Sequence, residues 1–116
     1  MSSPAGSLRY EVEKSVDDQH GNKVTTIKCH GKLVSENAAE LKEAVKPLIA
    51  QGGRIVVDLK DVEHIDSSGL GGLVGLKVSA IKQGMCILEL EHATPRVLEL
   101  LRVSNLTQMF SSSKPA

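Results

Sequence analysis

The sequence predicts a single α/β domain: a small mixed β-sheet of about four to five strands, parallel in the middle and covered by helices. Two observations lead there. Short β-rich runs alternate, after the first pair, with stretches whose apolar residues recur every three or four positions. Glycine, proline or asparagine punctuates most of the junctions between them. A chain of 116 residues with 41% apolar content is long enough for one packed core without disulfide or metal staples.

The elements follow in order. Leu8, Tyr10 and Val12 alternate with Arg9, Glu11 and Glu13, the pattern of a half-buried strand. A polar turn through Asp17, Asp18 and Gly21 links it as a hairpin to a second strand, Val24 to Cys29. From Ser35 to Ala50 the period becomes helical, with Ala38, Leu41, Val45, Leu48 and Ile49 inward and Glu40 and Glu43 outward. Ser35 or Asn37 is placed to cap its start, and Pro47 to kink it or confine its regular turns. Gly52 and Gly53 break that helix, and Arg54 to Lys60 reads as a strand buried on both faces.

Leu70, Leu73, Val74, Val78 and Ile81 form the apolar stripe of a second helix, which Gly84 ends in a left-handed conformation. Met85 to Glu91 is the next strand. Thr94 caps and Pro95 opens a third helix with Val97, Leu98, Leu100, Leu101 and Val103. Asn105 ends it, and Leu106 to Phe110 makes a closing turn. The domain thus spans 8–110, and the small, Ser- and Pro-containing ends 1–7 and 111–116 read as flexible tails.

Composition excludes several functions. Fourteen basic and fourteen acidic side chains cancel with no segment of one sign, so bulk charge offers nothing to nucleic acid or an anionic membrane. Tyr10 and Phe110 are the only aromatics, too few for a base-stacking platform. Cys29 and Cys86 lie in strand-like runs and read as buried thiols, not as a disulfide. With no membrane span and no signal peptide at the start, a cytoplasmic protein is expected.

Chemistry concentrates in HIDSSGLGGLVGL, His64 to Leu76, at the carboxyl end of a central parallel strand, where open α/β sheets place their ligands. A dinucleotide fingerprint fails, because Gly69 and Gly71 are followed by Val74 in place of the third glycine, and the connection from Lys60 to Asp66 is long for it. No Gly-Lys-Ser or Gly-Lys-Thr supports a Walker loop. A serine hydrolase would need Ser67 or Ser68 near His20, His30, His64 or His92, without a Gly-x-Ser-x-Gly elbow. A metal at His64, Asp66 and His92 lacks i, i+4 ligand spacing. The plain structural role of Asp66-Ser67-Ser68 is a helix N-cap, which leaves a hydroxyl near the surface.

VVDLKDVEHIDSSGLGGLVGL resembles the core of the STAS family, and in particular its bacterial anti-sigma factor antagonists. The likeness runs from the hairpin and Gly31-x-Leu33 to the Pro95 helix and the Leu106 turn. It implies helices mainly on one face of the sheet and a partner-switching protein, not an enzyme. The serine after the aspartate, Ser67, would be phosphorylated by a serine kinase that is itself the anti-sigma factor, with Ser68 as second choice. Unmodified antagonist would bind that kinase and release a sigma factor, phosphorylation would break the complex, and a phosphatase would reset it. ATP then belongs to the partner, and the chain itself needs no cofactor and no metal.

The expected partner surface comprises Val34, Ser35, His64, Asp66, Ser67, Ser68, Gly69 and Lys77, although Lys77 also reads as a solvated helical charge. Gly69, Leu70 and Gly71 shape the start of the helix, with Leu70, Leu73, Val74 and Val78 assigned to the core. Two features depart from the family: Val34 stands where many antagonists have an acid, and only 111–116 follow where a further helix is usual. The competing reading is a STAS scaffold in a transporter-associated or larger signalling complex, without phosphorylation. A monomer or weak dimer fits either.

Overall fold

The computed structural model describes residues 8–16, 21 and 23–110, with the backbone of Lys114–Pro115. Strands β1 (Leu8–Val16) and β2 (Lys23–Leu33) are followed by α1 (Ser35–Ala50), β3 (Gly53–Ile65), α2 (Ser67–Gln83), β4 (Cys86–Ala93), α3 (Pro95–Val103), a 3-10 turn at Thr107–Phe110 and β5 (Lys114–Pro115). The sheet order is β1-β2-β3-β4-β5. β1 pairs antiparallel with β2, and every other pairing is parallel. The mixed sheet with a parallel middle is therefore as the periodicity predicts. Of the expected tails, 1–7 lies outside the described residues, whereas Lys114–Pro115 runs beside β4 at Glu91 and Ala93 and adds a short strand to the sheet.

Strand alternation separates two faces. Ile27, Cys29, Ile55, Val57, Leu59, Leu88 and Leu90 point to the helices and join Leu41, Val45, Leu70, Leu73, Leu76, Val97 and Leu101 in one core. The other face is open and charged. Lys28 pairs with Glu13 at 3.1 Å, His30 bridges Glu11 at 2.8 Å and Asp61 at 3.1 Å, Arg54 holds Glu89, and His92 meets Asp58 at 2.9 Å. The more exposed of these pairs, such as Lys28 with Glu13, contribute little stability, but together they keep a helix-free face polar. The Arg54–Lys60 segment is accordingly not buried on both faces: Val56 is buried on the open side, but Arg54 and Asp58 are only half-buried there.

Several apolar residues take other positions than their spacing implies. Val12 is exposed because β1 is the sheet edge, and Leu8 is the one fully buried residue of that strand. On α2 the core face is Gly69, Leu70, Gly72, Leu73, Leu76 and Ala80; Val74 and Val78 are half-buried and Ile81 is exposed. The helix packs against both α1 and the sheet, and this rotates its buried stripe away from Ile81. On α3 only Val97 and Leu101 are buried, with Leu98 and Val103 exposed. Pro47 does not end α1: it lies in the last turn, where its missing N–H costs a single helical bond. Gly84 adopts φ 84° and Asn105 φ 58°, the left-handed stops expected for α2 and α3.

Both cysteines are free and buried. Burial, reinforced by the Asp58 charge, pushes the Cys29 thiol up to about 12, and burial also raises Cys86. Neither thiol should react with an aromatic disulfide reagent in native protein at about pH 8, and both should react after denaturation. Prompt labelling of the folded chain would contradict this burial.

Candidate functional site

The parallel register Leu33↔Ile65 brings the ends of β2 and β3 level, so the chain turns into α1 and α2 side by side. β3 extends to Ile65 and delivers Asp66 directly; the long connection from Lys60 expected from sequence is itself strand. Asp66 is extended, at φ −112°, and its Oδ1 accepts the Gly69 N–H at 2.8 Å. It thereby satisfies one of the donors that the first helical turn leaves free. Thr94 does the same for α3 through the Val97 N–H at 3.4 Å.

With Asp66 as the cap, Ser67 and Ser68 become the first helical residues, and both are exposed. Among the described residues neither hydroxyl is held in a hydrogen bond, to a histidine or to anything else. With His30, His64 and His92 the hydrolase arrangement is therefore not assembled, and His20 lies outside the described residues. His92 pairs with Asp58 on the open sheet face while Asp66 caps α2, so His64, Asp66 and His92 do not form a metal site either.

The neighbouring corner is built from a residue whose role the sequence does not disclose. Val34, not Ser35 or Asn37, is the N-cap of α1. Asn37 is 4% exposed, accepts the Val34 N–H at 2.9 Å and donates to the Lys32 carbonyl at 2.9 Å. Its place after Ser35 and Glu36, at the start of the helical run, points to a cap and not to a clamp across the turn. The Leu33 carbonyl accepts the Asp66 N–H at 3.4 Å, and a Cβ on Gly69 would stand 2.0 Å from the Leu33 oxygen. The corner can close only over a glycine. Gly71 differs: it is exposed, and a Cβ there would meet nothing within 4 Å.

The expected surface is thus divided. Ser35, His64, Ser67 and Ser68 are exposed, and Val34 is half-buried at the same corner. Gly69 is buried and structural, and Asp66 is half-buried and occupied by capping. Lys77 lies ten residues beyond Ser67, about 15 Å along the helix. Its Nζ donates to the Leu88 carbonyl at 2.8 Å and lies 5.9 Å from the centre of the Phe110 ring. Lys77 is thus a tie between helix, sheet and closing turn, because its stem reaches back over the core while its charge finds a carbonyl.

Comparison with known proteins bears on this corner. The family described as "Mlab, STAS domain" matches residues 16–111. The chain is 31% identical over 99 residues to an anti-sigma-B factor antagonist of Bacillus subtilis, covering 85% of this chain and 90% of that protein. It resembles the crystal structure of a putative anti-sigma factor antagonist from Thermotoga maritima, with TM-score 0.64 and 27% identity over 84% of this chain and 80% of the other. An anti-sigma factor antagonist from Mycobacterium paratuberculosis shares the fold, with TM-score 0.71 at 20% identity and coverage of 94% and 87%. With its sheet, its capped Asp-Ser-Ser corner and a family match over most of its length, the chain belongs to the STAS domain family.

Proposed function

We propose that this chain is a cytoplasmic anti-sigma factor antagonist that acts by partner switching under control of phosphorylation at Ser67. The observation that carries the reading is Ser67 itself: exposed, unbonded among the described residues and at the first turn of α2, in a chain related to an anti-sigma-B factor antagonist. Asp66 does the capping, so the hydroxyl is available without unfolding the turn.

In the proposed cycle the partner kinase supplies ATP. Ser67 Oγ attacks the γ-phosphorus, the new O–P bond forms as the bond to ADP breaks, and the hydroxyl proton passes to a base of the kinase. A phosphatase restores the hydroxyl by hydrolysis with water. Phosphate brings a charge of about −1.5 to −2 beside Asp66, at the positive end of α2. Helix-terminus stabilisation and repulsion from one half-buried acid at the surface are each on the order of 1 kcal/mol and opposed, so the domain should keep its fold. Within a closed interface the same charge has no solvent to spread into, and the complex parts.

Incubation with ATP and the cognate serine kinase is expected to add one phosphate, read by intact mass, and Ser67→Ala should abolish it. Loss of the modification in Ser68→Ala alone would overturn the assignment. A partner complex that forms equally well with phosphorylated and unmodified chain would favour the scaffold reading.

A further inference from the structure

We propose that Asp58, Glu91 and His92 form a binding site for one divalent transition-metal ion on the open face of the sheet, away from the Ser67 corner. The three ligand atoms lie within 4.8 Å of one another. His92 Nδ1 is 2.9 Å from Asp58 Oδ1 and 3.7 Å from Glu91 Oε1. Metal bonds of about 2.0–2.2 Å set adjacent ligand atoms about 3 Å apart, so the group is within a small rotamer adjustment of a facial set. One imidazole with two carboxylates suits zinc or manganese better than calcium or magnesium, which prefer all-oxygen shells.

The backbone explains how three ligands meet. Asp58 and Glu91 are register partners on β3 and β4, on the same face. In a regular strand the next residue, His92, would point to the helices. The pairing of β4 with β5 is irregular between Glu91 and Ala93, and His92 has φ 56°. Such an irregularity turns a side chain out of the alternation, and here Glu91 and His92 serve one face together.

Accessibility and charge also fit. The side chains of Asp58, Glu91 and His92 are 14%, 38% and 42% exposed, which leaves the ion a path from solvent. Lys28, the competing cation in register with Asp58, is engaged by Glu13. On binding, the ion takes the place of the hydrogen between Nδ1 and Oδ1, and the neutral ring carries its proton on Nε2.

The test is titration of the full chain with zinc chloride by calorimetry. Saturable one-to-one binding is expected, weakened about tenfold or more in both Asp58→Asn and His92→Asn. Asparagine tolerates the positive φ of residue 92, so the second variant keeps its backbone. Absence of saturable binding, or undiminished binding in either variant, would overturn the site. A readout independent of any variant is paramagnetic broadening by manganese chloride in the amide spectrum. Broadening centred on Asp58, Glu91 and His92 supports the site, and broadening centred elsewhere overturns it.

Discussion

Gly69→Ala is expected to destabilise the domain by about 3 kcal/mol or more, and Gly71→Ala to stabilise it by about 0.5–1 kcal/mol, although the two glycines stand two residues apart in one helix. The contrast comes from what each Cβ would meet. At Gly69 it would lie 2.0 Å from the Leu33 oxygen and 2.7 Å from the Leu33 carbonyl carbon, atoms of a backbone already fixed by pairing with Ile65. Neither side can retreat: α2 is anchored by the Asp66 cap, and β2 is held by Asn37 through Lys32 and Val34. At Gly71 the Cβ enters open space, and alanine gains helix propensity. Against a typical domain stability of about 5–15 kcal/mol, the first change is large. Urea unfolding monitored by circular dichroism measures both variants. Unchanged stability in Gly69→Ala would show that the corner is looser than these distances require.

Ser67→Asp is expected to weaken the complex with the partner kinase at least about tenfold, while the melting temperature of the free chain stays nearly unchanged. The second half of that result distinguishes a switch from damage. Ser67 is exposed at the first turn of α2, where a carboxylate is favoured by the helix terminus, so the free chain loses no contact. The cost arises when the partner closes over the corner and the new charge, next to Asp66, has no counterion. Calorimetric titration of wild type, Ser67→Asp and Ser67→Ala separates charge from loss of the hydroxyl. Ser67→Ala should retain most of the affinity. Equal affinity in Ser67→Asp would remove charge as the switching device, and a large fall in melting temperature would make the effect structural.

Much of the scaffold is legible in the sequence because it rests on local rules. The hairpin, the helix caps at Asp66 and Thr94, the stops at Gly84 and Asn105 and the strand-helix alternation depend on neighbours a few residues away. Periodicity was less able to say which part of an apolar stripe is covered. Ile81, Leu98 and Val103 fit the helical spacing yet are exposed, because α2 and α3 cover limited parts of the sheet and only packing sets their rotation.

Around the candidate site the division is similar. Asp-Ser-Ser-Gly-Leu-Gly shows by itself that a serine follows a capping acid at the carboxyl end of a parallel strand. Three further facts depend on atoms distant in the chain. Gly69 is obligatory because the Leu33 carbonyl, thirty-six residues earlier, occupies the space of its Cβ. Lys77 ties its helix to the sheet and the closing turn because the Leu88 carbonyl and Phe110 are within its reach. His92 crosses to the open face because the backbone turns to φ 56° at an irregular pairing, and there it meets Asp58. The sequence determines the order of strands and helices and the serine at their corner, since hydrogen bonding and burial period act locally. Steric exclusion between backbones and the direction of each side chain were decided only when distant segments came together.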